Sequence, residues 1–195
     1  MNMNRSPLSS GRACMIVLLG MLALSIVFGS FGAACAAQAG AAGEYQVKAG
    51  FIFNFLRFVE WPAESFAPNG KTVSVCVLGA NVFDASLDAY RGEVVAGRRV
   101  AVVYPKTLAE AENCNVLFLS PSERRRAYQV MKYLEGKSVL TISDIDGFVE
   151  QGGMIGFYMD KGYVRFDINL SLAKKARLNI GSQLLRHARV KENQP

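Results

Sequence analysis

The residues of this 195-residue chain that could do chemistry are few, and most of them lie in three loops. The loops are Gly79-Ala80-Asn81, Ser120-Pro121-Ser122 and Ser143-Asp144-Ile145-Asp146-Gly147, and each follows an apolar run that resembles a strand. Enzymes of α/β architecture usually carry their reactive groups on loops at the carboxyl ends of parallel strands. A catalytic or ligand-binding site would therefore be expected here.

None of the three loops carries a complete catalytic motif. The first lacks both the GxGxxG pattern and the lysine of a phosphate-binding loop. Ser120 or Ser122 would need a base to act as a nucleophile, there is no GxSxG elbow, and His187 is the only histidine. Asp144 and Asp146 lack the further ligands of a calcium loop and suit a turn in which Asp bonds its own backbone, with a hydrolase using both as the alternative. We expect no catalytic residue, no metal site and no cofactor.

The composition describes a globular protein with a mild positive charge. Half of the chain is hydrophobic and 19% is charged, which excludes disorder over most of its length. Lys and Arg number 22 against 16 Asp and Glu, a net charge of +6, and Arg5 and Arg12 lie in a leader that we expect to be removed. This charge is too small to indicate a nucleic-acid-binding protein.

The first 37 residues have the layout of a secretory signal peptide. A short basic segment precedes the apolar run Met15–Phe28, and a stretch rich in Gly, Ala and Ser follows it. An uncleaved membrane anchor and a lipid attachment at Cys35 are the alternatives. The leader predicts export to the periplasm, a short disordered segment at 38–43, a domain at 44–190 and a tail at 191–195.

Export changes the interpretation of the cysteines. Cys14 and Cys35 would leave with the leader, so Cys76 and Cys114 remain. Two cysteines in an oxidising compartment most often pair, which predicts a structural disulfide, with two buried free thiols as the alternative. The chain has no CxxC motif of a thiol oxidoreductase.

The pattern of apolar residues alternates between helix and strand. It predicts one α/β domain whose mixed, mostly parallel sheet has helices on both faces and ends in a β-hairpin and a helix. The predicted strands are Thr72–Leu78, Arg99–Tyr104, Val116–Leu119, Ser138–Ile142, Met154–Met159 and Tyr163–Ile168. The predicted helices run from Glu44 to Pro62 and over 81–90, 107–112, 120–135 (capped by Ser120) and 171–190, the last interrupted near 179–181.

Two groups of residues could form a protein-binding surface. Aromatic residues and arginines are typical interface anchors, and Phe58 and Trp61 stand at the end of the first helix. Arg124, Arg125 and Arg126 lie on the first turns of a later helix. Core packing of the aromatic side chains and a solvated arginine face are the alternatives.

Several segments resemble the YfiR family of periplasmic proteins. The first is the aromatic run from Glu44 to Pro62. Further matches follow in order: Asn115-Val-Leu-Phe-Leu-Ser-Pro-Ser-Glu, Leu140-Thr-Ile-Ser-Asp-Ile-Asp-Gly-Phe, Gly152-Gly153-Met-Ile-Gly-Phe, Val164-Arg-Phe-Asp-Ile-Asn-Leu and Ser182-Gln-Leu-Leu. Together they span about 44 to 190.

The resemblance implies a regulator and not an enzyme. It implies repression of an inner-membrane diguanylate cyclase through the cyclase's periplasmic sensor region, which lowers cyclic-di-GMP. It also implies a homodimer and release by an OmpA-like outer-membrane lipoprotein. A small-molecule-binding domain that reports to a sensor kinase or transporter is the alternative. Because one mature cysteine pair is present, a redox switch that needs two disulfides does not fit this chain.

Overall fold

The computed structural model describes residues 31–66 and 70–191. Most of the predicted leader, residues 1–30, and most of the predicted tail lie outside the described residues, so these predictions stay predictions. The chain divides into two compact units at Gly43 and Glu44, and the larger unit contains the sheet. Among the described residues, no helix is both long and apolar enough to span a membrane.

The helices and strands alternate as expected for an α/β domain. The helices are α1 (Phe31–Phe58), α2 (Leu108–Ala111), α3 (Ala127–Leu134), α4 (Leu170–Lys175) and α5 (Ser182–Leu185). The strands are β1 (Val59–Glu60), β2 (Thr72–Leu78), β3 (Val94–Val95), β4 (Arg98–Val103), β5 (Val116–Leu119), β6 (Leu140–Ser143), β7 (Ile155–Asp160), β8 (Tyr163–Asn169), β9 (Asn179–Ile180) and β10 (Arg189–Lys191). Short 3₁₀ helices cover Ala63–Ser65, Asp88–Tyr90 and Pro121–Arg126.

An eight-stranded sheet in the order β10-β8-β7-β6-β5-β2-β4-β3 forms the centre of the domain. The run β4-β2-β5-β6-β7 is parallel, whereas β3 and β8 join it antiparallel. The predicted α/β class with a mostly parallel sheet is confirmed. The predicted strands are also confirmed, Thr72–Leu78 and Val116–Leu119 to the residue.

Each face of the sheet is covered by helices. On one face α1 contributes Ala49, Ile52 and Phe55, all fully buried, and α4 and α5 pack beside it. On the other face α3 buries Ala127, Val130, Met131 and Leu134 against the alternate residues of β2 and β5. Helices on both faces were predicted, and this part of the architecture is confirmed.

Helix α1 owes its position to aromatic packing. Phe51 and Phe55 contact Phe157 and Phe166 of the hairpin, with ring centroids 5.1 to 6.0 Å apart. The helix begins at Phe31, so it also covers 38–43, for which the sequence predicted no regular structure. It ends at Phe58, shortly before Pro62, as the exclusion of the residue before proline from helical conformation requires.

Three predicted helices are wrong or incomplete. The 81–90 segment is a series of turns with one 3₁₀ turn at Asp88–Tyr90. The 120–135 helix begins as the 3₁₀ helix Pro121–Arg126 and becomes α-helical only from Ala127 to Leu134. The 171–190 region contains two short helices and the unpredicted strands β9 and β10, and its predicted interruption falls on β9.

Ser120 does not cap the helix that follows it. Its side chain makes no capping hydrogen bond, because the residue is fully buried and its Oγ has no partner among the described residues. The Glu123 carboxylate pairs with Arg126 and does not reach back to complete a capping box. Pro121 occupies the first turn of the 3₁₀ helix, and Gly136, in the left-handed conformation, follows the end of α3.

A disulfide joins Cys76 of β2 to Cys114, which lies just before β5. The two cysteines are 38 positions apart and their Cα atoms are 6.1 Å apart. Both side chains are buried on the face covered by α3. The predicted pairing is present and ties two neighbouring parallel strands together.

Replacing both cysteines (C76A/C114A) should lower the free energy of unfolding by about 2–4 kcal/mol. Without the disulfide, the unfolded chain is no longer constrained by a closed loop, so its conformational entropy is higher. Urea denaturation of the oxidised protein and the variant measures the difference. Adding a reductant to the wild-type protein should produce a similar loss. Equal unfolding free energies for the oxidised protein and the variant would contradict a stabilising disulfide.

Candidate partner-binding surfaces

The carboxyl ends of three central strands meet where ligands usually bind in open α/β sheets. Leu78 of β2 pairs with Leu119 of β5, and Leu119 pairs with Ser143 of β6. The next residues along these strands are Gly79, Ser120 and Asp144, so they lie side by side at the carboxyl end of the sheet. This is the place where the sequence indicated a site, if one existed.

Side chains of helix α1 occupy this end of the sheet. The Tyr45 hydroxyl donates to Asp144 Oδ2 at 2.8 Å, and Lys48 Nζ donates to the same oxygen at 2.5 Å. The Lys48 side chain is 3% exposed and also pairs with Glu44. Burial, followed by the hydrogen bond to Asp144, raises the pKa of the Tyr45 hydroxyl above its ordinary value. Asp144 therefore anchors the turn of α1 that carries Tyr45 and Lys48 to the sheet.

The neighbouring loops are closely packed. Gly79 has a φ of +101°, and a Cβ atom there would lie 2.5 Å from Ser122 Oγ, so only glycine fits. Ser122 Oγ accepts a hydrogen bond from the Ala80 amide at 2.9 Å. Two atoms at this end of the sheet, Ser120 Oγ and Asp144 Oδ1, are buried without a hydrogen-bond partner among the described residues.

The two aspartates of the β6 loop have separate roles. Asp144 faces α1, whereas the Asp146 side chain is 92% exposed and lies 3.1 Å from Arg124. The predicted turn in which Asp bonds its own backbone is formed instead by Ser143, whose Oγ accepts from the Ile145 amide at 3.1 Å. The arrangement gives no shared position at which both carboxylates could act on one substrate. The described residues also contain no cluster of His, Cys, Asp or Glu suited to a metal ion.

Breaking the buried pair between Lys48 and Asp144 should destabilise the protein strongly. Lys48→Met or Asp144→Asn should each lower the free energy of unfolding by about 3 kcal/mol. Lys48→Met leaves the buried Asp144 carboxylate without its cation, and Asp144→Asn leaves the buried Lys48 ammonium with Glu44 alone. The double variant K48M/D144N should lose less than the sum. Tyr45→Phe, the control that removes one neutral hydrogen bond, should cost about 1 kcal/mol. Urea denaturation of the four variants measures the coupling, and additive losses would contradict it.

The arginine turn, which we define as Arg124, Arg125 and Arg126, lies at this same end of the sheet. All three side chains are exposed. Arg124 pairs with Asp146 and Arg126 with Glu123, while Arg125 has no ion pair with any residue that the structure describes. Tyr128, 66% exposed, stands one helical turn further along. A guanidinium and an aromatic ring are thus available at the surface.

Phe58 and Trp61 are partly buried and pack against the hydrophobic core of the domain. Trp61 is half-buried, and its Nε1 donates to the Asn115 carbonyl at 3.0 Å. The Phe58 carbonyl accepts from the Gly181 amide at 2.7 Å, and a Cβ atom at Gly181 would lie a tight 3.0 Å from that carbonyl oxygen. Trp61 lies beside Asn115, the residue before β5, whereas the arginine turn follows the end of that strand. The structure therefore does not bring the two predicted groups together.

A pocket beside Trp61 was missed at the sequence level. It has a volume of about 250 Å³, with Leu56, Val59, Val73 and Val95 among its lining residues. Arg98 stacks on Phe66, its guanidinium carbon 3.7 Å from the ring centroid, and its Nε has no partner among the described residues. Ala96-Gly97, both with positive φ, form the turn that presents Arg98. In the sequence, the Ala-Gly pair before Arg98 and Arg99 is the feature that indicates a turn presenting an arginine.

A comparison with protein families places this chain. The model of a YfiR/HmsC-like family matches residues 45–189, most of the chain and nearly all of the described domain. The chain therefore belongs to the YfiR/HmsC-like family, as the resemblance predicted. In general terms it is a YfiR-like regulatory protein of a periplasmic, non-catalytic family whose members interact with inner-membrane signalling proteins.

Proposed function

We propose that this protein is exported to the periplasm and represses an inner-membrane diguanylate cyclase by binding its periplasmic sensor region. The observation that carries the proposal is the family match over residues 45–189. Holding the sensor in an inactive arrangement would lower cytoplasmic cyclic-di-GMP. The active form is a homodimer, and an OmpA-like outer-membrane lipoprotein relieves repression by drawing the protein away.

The arginine turn is the surface that we assign to the sensor. It stands on a rigid element, since the adjoining α3 is buried against the sheet through four apolar side chains. Arg125, which is exposed and has no ion pair with any described residue, could pair with an acidic group of the sensor, and Tyr128 offers a large ring beside it. Arginine and tyrosine are enriched among the residues that dominate binding energy in protein interfaces. Trp61 and Phe58 form a second contact at the other end of the sheet.

Deleting the gene should raise cellular cyclic-di-GMP, and expressing the wild-type chain should restore the lower level. A chain carrying Arg125→Glu should fail to restore it, because reversing the charge should weaken sensor binding at least tenfold, which is about 1.4 kcal/mol. Cyclic-di-GMP measured by mass spectrometry in the deletion strain gives the result.

Arg186→Glu is the matched control, because Arg186 is also an exposed arginine but lies on a different element. It should repress like the wild-type chain. Both variants must accumulate to wild-type amounts and keep the wild-type melting temperature. Unchanged cyclic-di-GMP on deletion would contradict the proposed function, whereas full repression by the Arg125 variant would contradict only the assigned surface.

The pocket at Trp61 favours a second candidate, a small-molecule-binding domain that reports to a sensor kinase or transporter. Its apolar floor and stacked guanidinium suit a small aromatic anion. A library of such molecules should contain one that raises the melting temperature of the wild-type protein by several degrees. Arg98→Ala should abolish the shift and the control Arg99→Ala should keep it. No shift with any molecule would remove this candidate.

A further inference from the structure

Strand β10 covers one edge of the sheet with only three residues. Its parallel register places Arg189 beside Asp167, Val190 beside Ile168 and Lys191 beside Asn169 of β8. Arg189 and Val190 are exposed, and no other described strand pairs with β10. Little apolar surface is therefore buried when this strand docks.

Charges hold the strand in place. Arg189 donates to both oxygens of Asp167 at 2.7 Å, and its guanidinium lies 4.6 Å from the centre of the Tyr158 ring. Lys191 pairs with Glu150 at 2.8 Å and lies 3.8 Å from Asp167. Asp167 is only 6% exposed, so its carboxylate needs a cation whenever the edge is covered.

The edge of β8 is longer than the strand that covers it. β8 runs from Tyr163 to Asn169, and β10 pairs only from Asp167 onward. The preceding four residues, from Tyr163 to Phe166, have no strand beside them on this side in the described part of the chain. A free sheet edge is a template for an added strand. A segment of seven residues could pair along the whole of β8, whereas the chain's own strand pairs along three.

We propose that β10 is displaceable and that the edge of β8 is a docking site for an extended segment of a partner protein. The segment would add as a parallel strand, the binding mode known as β-augmentation. It carries Arg at the position beside Asp167, an apolar residue next and Lys after that, as the chain's own strand does. An acidic residue two positions before the Arg would stand beside Arg165, which is exposed. This inference takes from the proposed function only the existence of a partner protein.

The probe is a fluorescent peptide with the sequence of residues 185–191, Leu-Arg-His-Ala-Arg-Val-Lys, which matches β8 in length. Its binding to the full chain is measured by fluorescence anisotropy. The peptide competes with a tethered strand, whose effective concentration is in the millimolar range. Binding to the wild-type chain should therefore be weak. Arg189→Ser weakens the tethered strand and should tighten peptide binding at least tenfold.

Controls separate edge pairing from general charge attraction. Arg186→Ser removes an exposed arginine outside β10 and should bind the peptide as weakly as the wild-type chain. A disulfide between Ile168→Cys and Val190→Cys, which are register partners, should lock β10 and prevent binding. A peptide with Glu in place of its second Arg should not bind to any variant.

Hydrogen exchange at residues 167–169 reports whether β10 has left. In Arg189→Ser these amides should exchange faster, and adding the peptide should restore their protection. Should this variant unfold, Lys191→Ser is the milder change and should show the same pattern at smaller amplitude. Two results in Arg189→Ser would overturn the proposal. One is slow exchange of the amides at 167–169, and the other is fast exchange of these amides without binding of the peptide.

Size-exclusion chromatography distinguishes a different partner protein from a second copy of this chain as the source of the segment. If Arg189→Ser forms a dimer that the free peptide dissociates, the segment comes from a second copy of this chain, and the assignment to a different partner protein is wrong. Because none of these measurements involves the cyclase, their failure is distinct from failure of the proposed function.

Discussion

The packing of helix α1 across the parallel sheet is the constraint on which the rest of the structure depends. Aromatic contacts of Phe51 and Phe55 with the β7–β8 hairpin fix its last turns, and the buried pair of Lys48 with Asp144 fixes the turn before them. The same pair fills the carboxyl end of the sheet, which other α/β proteins leave open for ligands. We therefore assign recognition to the arginine turn, the pocket at Trp61 and the outer strand.

Much of the fold could be predicted, because its signals are local. The valines of Thr72–Leu78 and the wholly apolar Val116–Leu119 are typical of buried parallel strands, and both predictions are confirmed. Gly162 marks the hairpin turn, where it adopts a φ of +82°. The disulfide followed from export and from the number of cysteines left in the mature chain.

The errors concern residues whose roles depend on distant contacts. Ser120 has the sequence of a helix cap, but its place in the register turns its side chain towards the α1 face. The role of Trp61 in partner binding stays a prediction, and the sequence does not show that its indole donates to the Asn115 carbonyl, 54 positions away. β10 escaped prediction because three residues give no periodicity, and the strand depends on Asp167. Lys48 was missed as a buried charge because its partner lies 96 positions away.

The central claim is that this domain recognises the periplasmic sensor of a membrane cyclase through a rigid, positively charged surface. Calorimetric titration of the purified full mature chain into the purified sensor domain of the cyclase encoded nearest to its gene tests this most directly. The account predicts a saturable complex whose affinity falls with rising salt concentration. Absence of binding at low and physiological salt, with both proteins folded, would contradict it.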